Sequence, residues 1–235
     1  MALILNIETA TPVLSIALGR DGEMVELMEL NTQNRHAEKI TLFIDEIMRK
    51  HGFGFDDLDA VAVSEGPGSY TGLRIGVSTA KGICYSKDLP LIAVSPLKSM
   101  ALSMSLGWKS ESNDKQVVFC PMIDARRMEV YAAFYDINNH KMRNVQADII
   151  DENSYREYLD KYQVVFGGDG AVKCKEVIRH ENAVFMDDVK ASAQPMVQIS
   201  ESYFNEKKFV DVAYFEPFYL KAFKAGKPKI KGLYD

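Results

Sequence analysis

Between Ser64 and Gly76 the chain reads Ser-Glu-Gly-Pro-Gly-Ser-Tyr-Thr-Gly-Leu-Arg-Ile-Gly, and this run restricts the possible folds more than any other. Leu58 to Val63 upstream is an apolar strand pattern. Gly66 and Gly68 permit positive backbone angles around Pro67, and Ser69 or Thr71 can cap the helix that follows. A helix starting at the carboxyl end of a buried strand is a place where an anion can sit. The glycine spacing, however, is neither that of a Walker loop nor that of a dinucleotide fingerprint, and no lysine follows where a P-loop needs one. The motif therefore fixes a strand–turn–helix shape without supplying phosphate chemistry.

Around this turn the pattern predicts strands at 2–8, 12–19 and 23–30, divided by Thr11-Pro12 and by Asp21-Gly22, the latter a hairpin signal. From His36 to His51, Ile40, Phe43, Ile44, Ile47 and Met48 recur at helical spacing, and Gly52 ends the run. A strand near 59–64, a helix over Thr71–Lys87, a strand at 91–94 and a helix over 96–106 complete a mixed sheet with its helices. The polar stretch Gly107–Lys115 predicts a boundary. Beyond it the order starts again: strands at 116–123, 128–136 and 142–150, a helix at 152–162, a short strand ending in Gly167-Gly168 and a helix at 171–180. A helix at 191–207 and an extended Tyr214–Leu220 follow. The order of elements repeats although the residues do not, which predicts two related lobes. The expected division is 1–107 for the first lobe, 108–190 for a smaller second lobe, and 191–235 for a terminal helix and tail packing back on the first.

With 235 residues, ordinary apolar content and a net charge of −5, the bulk surface repels nucleic acid unless a local basic patch overrides it. Lysines 221, 224, 227, 229 and 231 form one such cluster, read as a solvated tail. The first residues lack a basic leader and soon reach Glu8, no stretch approaches membrane-spanning length, and three cysteines without a CxxC suit reduced thiols. A cytoplasmic location is expected. The four histidines, His36, His51, His140 and His180, never fall at i and i+4, so no metal pair is expected.

Asn6-Ile-Glu-Thr-Ala10, the Gly66–Gly76 run, Asp124-Ala-Arg126 with Glu129-Val-Tyr131, and Phe218-Tyr-Leu-Lys221 together resemble the TsaB family. That family is a branch of the actin, hexokinase and heat-shock ATPase superfamily concerned with tRNA modification. The resemblance implies an α/β fold of two actin-like (ASKHA, RNase H-like) lobes, each a mixed sheet with a three-strand meander flanked by helices. It implies a non-catalytic subunit required for threonylcarbamoyladenosine formation beside the tRNA anticodon. Its partners would be a TsaD-like transferase and a small TsaE-like ATPase, with tRNA reached through the complex, no membrane contact, and a homodimer when alone. The TsaD family shares the helix matched by Gly76-Val-Ser-Thr-Ala-Lys-Gly82, then carries a His-x-x-x-His metal pair whose positions fall here on Pro96 and Met100, which cannot serve hard divalent ions. No cofactor is required on this reading, with ATP or ADP the weak ligand a cleft could take.

Two sets of candidate residues follow. Gly72, Gly76 and Ala80 form a small-residue stripe that would admit a partner helix, joined by Leu42, Leu73, Arg74, Thr79 and Ile83 as the docking face; the alternative is that this stripe lies against the chain's own sheet. Arg74 near a helix N-terminus predicts a carboxylate partner. Glu8, Thr9, Asp124, Gly167 and Gly168 would line a nucleotide cleft, with plain structural roles as the alternative for each. An independent ATP-dependent kinase or ATPase using that cleft is the rival function, and a metallopeptidase the more distant one.

Overall fold

The computed structural model describes residues 2–31, 35–109 and 115–221. In chain order the elements are β1 (Leu3–Glu8), β2 (Val13–Arg20), β3 (Glu23–Asn31), α1 (His36–Lys50), β4 (Ala60–Ser64), α2 (Tyr70–Lys87), β5 (Leu91–Val94) and α3 (Pro96–Gly107). They continue with β6 (Val117–Asp124), β7 (Glu129–Tyr135), β8 (Lys141–Ile149), α4 (Arg156–Leu159), β9 (Gln163–Gly167), α5 (Ala171–Cys174), β10 (Ala183–Met186) and α6 (Met196–Asn205). Lys224, Lys227, Lys229 and Lys231 of the basic tail, and most of the expected boundary, lie outside the described residues.

The strands form two five-stranded sheets, ordered β3-β2-β1-β4-β5 and β8-β7-β6-β9-β10. The second order repeats the first, element for element. Each lobe opens on an antiparallel meander, β1–β2–β3 or β6–β7–β8, and extends by parallel pairing, β1–β4–β5 or β6–β9–β10. The expected two-lobed architecture with mixed sheets is present.

Side-chain alternation along these strands builds a layered molecule. Leu3, Leu5, Ile7, Leu14, Ile16 and Leu18 face α1 and α2, meeting Ile40, Ile44, Ile47, Met48, Val77 and Cys84. The opposite face of the same sheet, Ile4, Ala17, Ala60, Ala62, Ile92 and Val94, is covered by Met196, Val197 and Ile199 of α6. Leu97, Met100 and Ala101 of α3 pack instead on Ile123, Ala133 and Tyr135 of the second sheet. Helix α3, grouped with the first lobe by chain order, is thus part of the layer between the two sheets; Lys98 on α3 donates to the Tyr203 hydroxyl of α6 at 3.0 Å.

Three expectations are corrected. The helices expected at 152–162 and 171–180 shrink to the single turns α4 and α5. Their place is taken by aromatic packing, with Phe134 against Tyr158 at 4.0 Å and Tyr155 at 5.1 Å between ring centroids, and Phe166 against Phe185 at 5.2 Å. Strand β10 had no clear alternation to announce it, since all four residues are half-buried on both faces. Helix α6 starts at Met196, because Ala191–Gln194 form a connection with Pro195 capping the helix. That connection is held by Glu29, which accepts from Ser15 at 2.9 Å and Ser192 at 2.6 Å and pairs with Lys190.

Candidate functional site

The Gly-Pro-Gly turn joins β4 to α2 as expected, with the Gly66–Pro67 peptide cis and Gly66 at φ 104°. Ser69 caps α2, its hydroxyl accepting from the Gly72 amide at 3.2 Å. The Ser69 amide donates to the Ala10 carbonyl at 2.7 Å. The Ser69 amide of the turn is thus used to clamp the β1–β2 connection.

That clamp decides the fate of the small stripe on α2. A Cβ on Gly72 would lie 2.2 Å from the Thr9 carbonyl oxygen, and one on Gly76 would lie 2.3 Å from Thr9 Oγ1. Contacts so short admit no side chain. Gly72, Gly76 and Ala80 are buried against the chain's own first strand, and Leu73 is fully buried with them. As docking residues these four are corrected: Gly72 and Gly76 are small so that α2 can pack closely on Thr9, and Leu73 and Ala80 are buried in the core. Of the expected face, Leu42, Arg74, Thr79 and Ile83 remain on the outside.

What the outside carries is a groove between α1 and α2. A hollow of about 310 Å³ is lined by Thr41, Ile44, Phe55, Ser78, Thr79, Gly82, Ile83 and Ser86. A Cβ on Gly82 would meet nothing within 4 Å. Ser78, Gly82 and Ser86 form a second stripe of small residues four apart, Phe55 stands at its edge, and Leu42 (54% exposed) and Tyr85 (87% exposed) are open to solvent on the same two helices. A large apolar patch edged by polar side chains is a protein-docking signature. Sequence reasoning missed Phe55, Ser78, Gly82, Tyr85 and Ser86. The available signal was directional: Gly72, Gly76 and Ala80 run beside Leu73, Val77 and Cys84, the apolar side of the helix, and so had to point inward.

Arg74 has no carboxylate partner among the described residues. Its guanidinium lies over the Tyr70 ring at 4.2 Å, a cation–π contact that takes the place of the expected ion pair.

Between the lobes lies a cleft of about 820 Å³, lined by the 10–12 and 67–71 turns, the β6–β7 hairpin, Asp169 and residues 218–221. Asp124 is here, exposed, paired with Lys173 and accepting from the Arg126 amide at 3.0 Å. The other nucleotide candidates are corrected. Gly167 and Gly168 are buried, where a Cβ would strike Val189 Cγ2 at 2.8 Å and the Met122 carbonyl oxygen at 2.2 Å respectively, so only Asp169 of that turn reaches the cleft. Met100 Cε lies 2.5 Å from where a Gly168 Cβ would be, so the position matched to a metal-binding histidine is filled by apolar packing.

Glu8 and Thr9 are also sealed off, both fully buried. Glu8 Oε1 accepts from the Ala10 amide at 2.6 Å, while its other oxygen and Thr9 Oγ1 have no partner among the described residues. Burial pushes the Glu8 carboxyl up to about 7, against the lowering effect of the hydrogen bonds from Ala10, Ser64 and Thr9. A closed-off acid of this kind holds the turn and offers nothing to a ligand in the cleft. No group of ligating side chains among the described residues could hold a metal ion.

A strap of chain closes this side. Val210 donates to the Leu91 carbonyl at 2.9 Å, Lys81 Nζ donates to the carbonyls of Ala213 at 3.0 Å and Phe215 at 3.1 Å, and Phe218 donates to the Glu65 carbonyl at 2.7 Å. Tyr219 then packs on Tyr70 at 5.0 Å between centroids, and Lys221 pairs with Glu129 across the cleft.

Two mixed sheets in duplicated order, with an open helix pair on one flank, define an actin-like two-lobed protein. The chain belongs to the TsaB family. It is 30% identical over 227 residues to the Escherichia coli K12 tRNA threonylcarbamoyladenosine biosynthesis protein TsaB, covering 93% of this chain and 94% of that one. It is 36% identical over 141 residues to the TsaB protein of Haemophilus influenzae, covering 60% of this chain and 56% of that one. Residues 30–217 also match the model for the TsaD family, tRNA N6-adenosine threonylcarbamoyltransferase. The fold is that of YeaZ from Pseudomonas aeruginosa, with a TM-score of 0.78 at 20% identity over 94% of this chain and 100% of that one. No helix among the described residues is long and apolar enough to cross a membrane.

Proposed function

We propose that this chain is a non-catalytic, cytoplasmic subunit of the system that makes threonylcarbamoyladenosine in tRNA, docking through α1 and α2 on the threonylcarbamoyl transferase and supporting its tRNA-competent state. The observation that carries this reading is the open Ser78–Gly82–Ser86 groove edged by Phe55, with Leu42 and Tyr85 exposed on the same two helices. The match of residues 30–217 to the transferase family supports it further, since two proteins of one fold can pair like faces about an approximate two-fold axis. A small ATPase would join the pair, the same face would close a homodimer when the chain is alone, and no cofactor is needed for a docking role. The chemistry then belongs to the partner. The kinase alternative is not favoured, because Glu8 is shut away from the cleft and Asp124 is taken by Lys173.

The test is co-purification with the transferase. Gly82→Arg, which fills the groove without touching the core, is expected to weaken the complex at least about tenfold, a typical cost for the centre of an interface. A complex indifferent to that change, or none with the unaltered chain, overturns the assignment.

A further inference from the structure

Among the described residues, the β6–β7 hairpin alone places two successive non-glycine residues at positive φ. Arg126 and Arg127 both lie in the left-handed region, with φ of 71° and 52°. A turn with two successive positive φ values favours Asn-Gly or Asp-Gly, because a Cβ is disfavoured there. Nothing in the packing asks for arginine: both side chains are exposed, and among the described residues neither makes an ion pair or a side-chain hydrogen bond. Strain held at an exposed site without a structural reason points to function.

The setting of these two cations is selective. They stand on the rim of the inter-lobe cleft. The acids around them are engaged: Asp124 with Lys173, Glu129 with Lys221, and Asp169 as acceptor from the Asp124 amide at 3.0 Å. Arg74 adds a third unpaired guanidinium beside Tyr70, and Tyr70 with Tyr219 presents a pair of rings on the same rim. On a protein of net charge −5, this concentrates cations and aromatic faces in one place.

Resting on the proposed role in tRNA modification, we infer that the cleft rim is an RNA-contacting surface, with Arg126 and Arg127 holding phosphates and Arg74, Tyr70 and Tyr219 beside them. A small anion would call for buried, convergent donors. Exposed arginines spread along a rim fit a backbone of regularly spaced phosphates, which guanidinium groups bind in bidentate fashion, and half-buried rings at the rim give bases an edge to stack against.

The experiment measures binding of an unmodified tRNA transcript to the complex of this chain with the transferase, as a function of salt. The probe variant is Arg126→Asn/Arg127→Gly, which gives the turn the residues its geometry favours. Expected are an unfolding midpoint equal to or above that of the unaltered chain, an intact protein complex, tRNA affinity lowered about tenfold, and a salt slope reduced by about one unit per arginine. A second variant, Arg126→Lys/Arg127→Lys, keeps the charge and should recover most of the affinity. Unchanged affinity and slope overturn the inference, as does loss of the protein complex itself, which would place the arginines in a protein interface. Failure of the unaltered chain to bind the transferase is visible before any tRNA is added, and removes the functional reading and the RNA surface together.

Discussion

The two lobes share a strand order and differ in how they cover it. In the first, the outer face of the sheet is roofed by α1 and α2, helices of 15 and 18 residues. In the second, the same face is covered by α4 and α5, of 4 residues each, and by rings stacked around Phe134. Arg143 completes that roof, making a double ion pair with Asp148 at 2.7 Å and lying over the Phe134 and Tyr155 rings at 5.7 and 5.6 Å. Long helices leave a second surface available after the first is buried, whereas a roof of rings is used up in covering its sheet. The two lobes repeat one strand order, and among the described residues only the first leaves a groove open between its long covering helices.

The largest effect that tests this contrast is expected at Phe134. Truncation to alanine removes the centre of the aromatic roof and should destabilise the protein by about 4 kcal/mol, while leaving the groove of the first lobe intact. Chemical unfolding should show the loss; a change below about 1 kcal/mol would mean that the rings fill space without supporting the lobe.

Next is the pH response of Glu8, which ends the first strand of its lobe in full burial, whereas Asp124 ends β6 in solvent. The folded Glu8 titrates at about 7 against an ordinary 4.5. Between those values the folded chain holds a proton that the unfolded chain has lost, so stability from this group is greatest below about 4.5 and falls as pH rises to about 7. The total is about 3 kcal/mol. Glu8→Gln should therefore gain on the unaltered chain progressively from pH 4.5 to 7.5 in thermal unfolding; parallel curves would refute the burial argument.

The smallest effect separates the two small stripes of α2. Gly82→Ala has open space around the new methyl and should stabilise by about 0.5–1 kcal/mol, the usual gain in a helix interior. The same change at Gly76 runs into Thr9 and should destabilise. Equal outcomes at the two sites would erase the distinction between inner and outer stripe.

Most strands and all three long helices of the first lobe could be read from the chain, because each has a period of 2 or 3.6 tied to one buried face. The short helices of the second lobe could not. Tyr155, Tyr158 and Tyr162 sit at helical spacing, yet Tyr155 and Tyr158 pack on the rings of Phe134 and Phe166, which are distant in sequence, and Tyr162 packs on Tyr158. Of the eight residues read as a docking face, Gly72, Leu73, Gly76 and Ala80 are turned inward. Two small stripes run along α2, and choosing between them requires knowing that Thr9 lies beneath one. The cleft assignment erred for a similar reason: Glu8, Gly167 and Gly168 fall at the right strand ends, but whether a strand end opens to solvent depends on the turn laid over it.

The position of α6 in the chain has a consequence for synthesis. One face of the first sheet is closed by Met196, Val197 and Ile199, which are made after every strand of both lobes. On the ribosome, the second lobe can be complete when Met186 has emerged, while the first, begun earlier, still shows Ile4, Ala62, Ile92 and Val94 to water. The lobe that comes earlier in the chain is thus the last to be finished, and a chain interrupted before Met196 would leave a half-closed sheet prone to sticking to its neighbours.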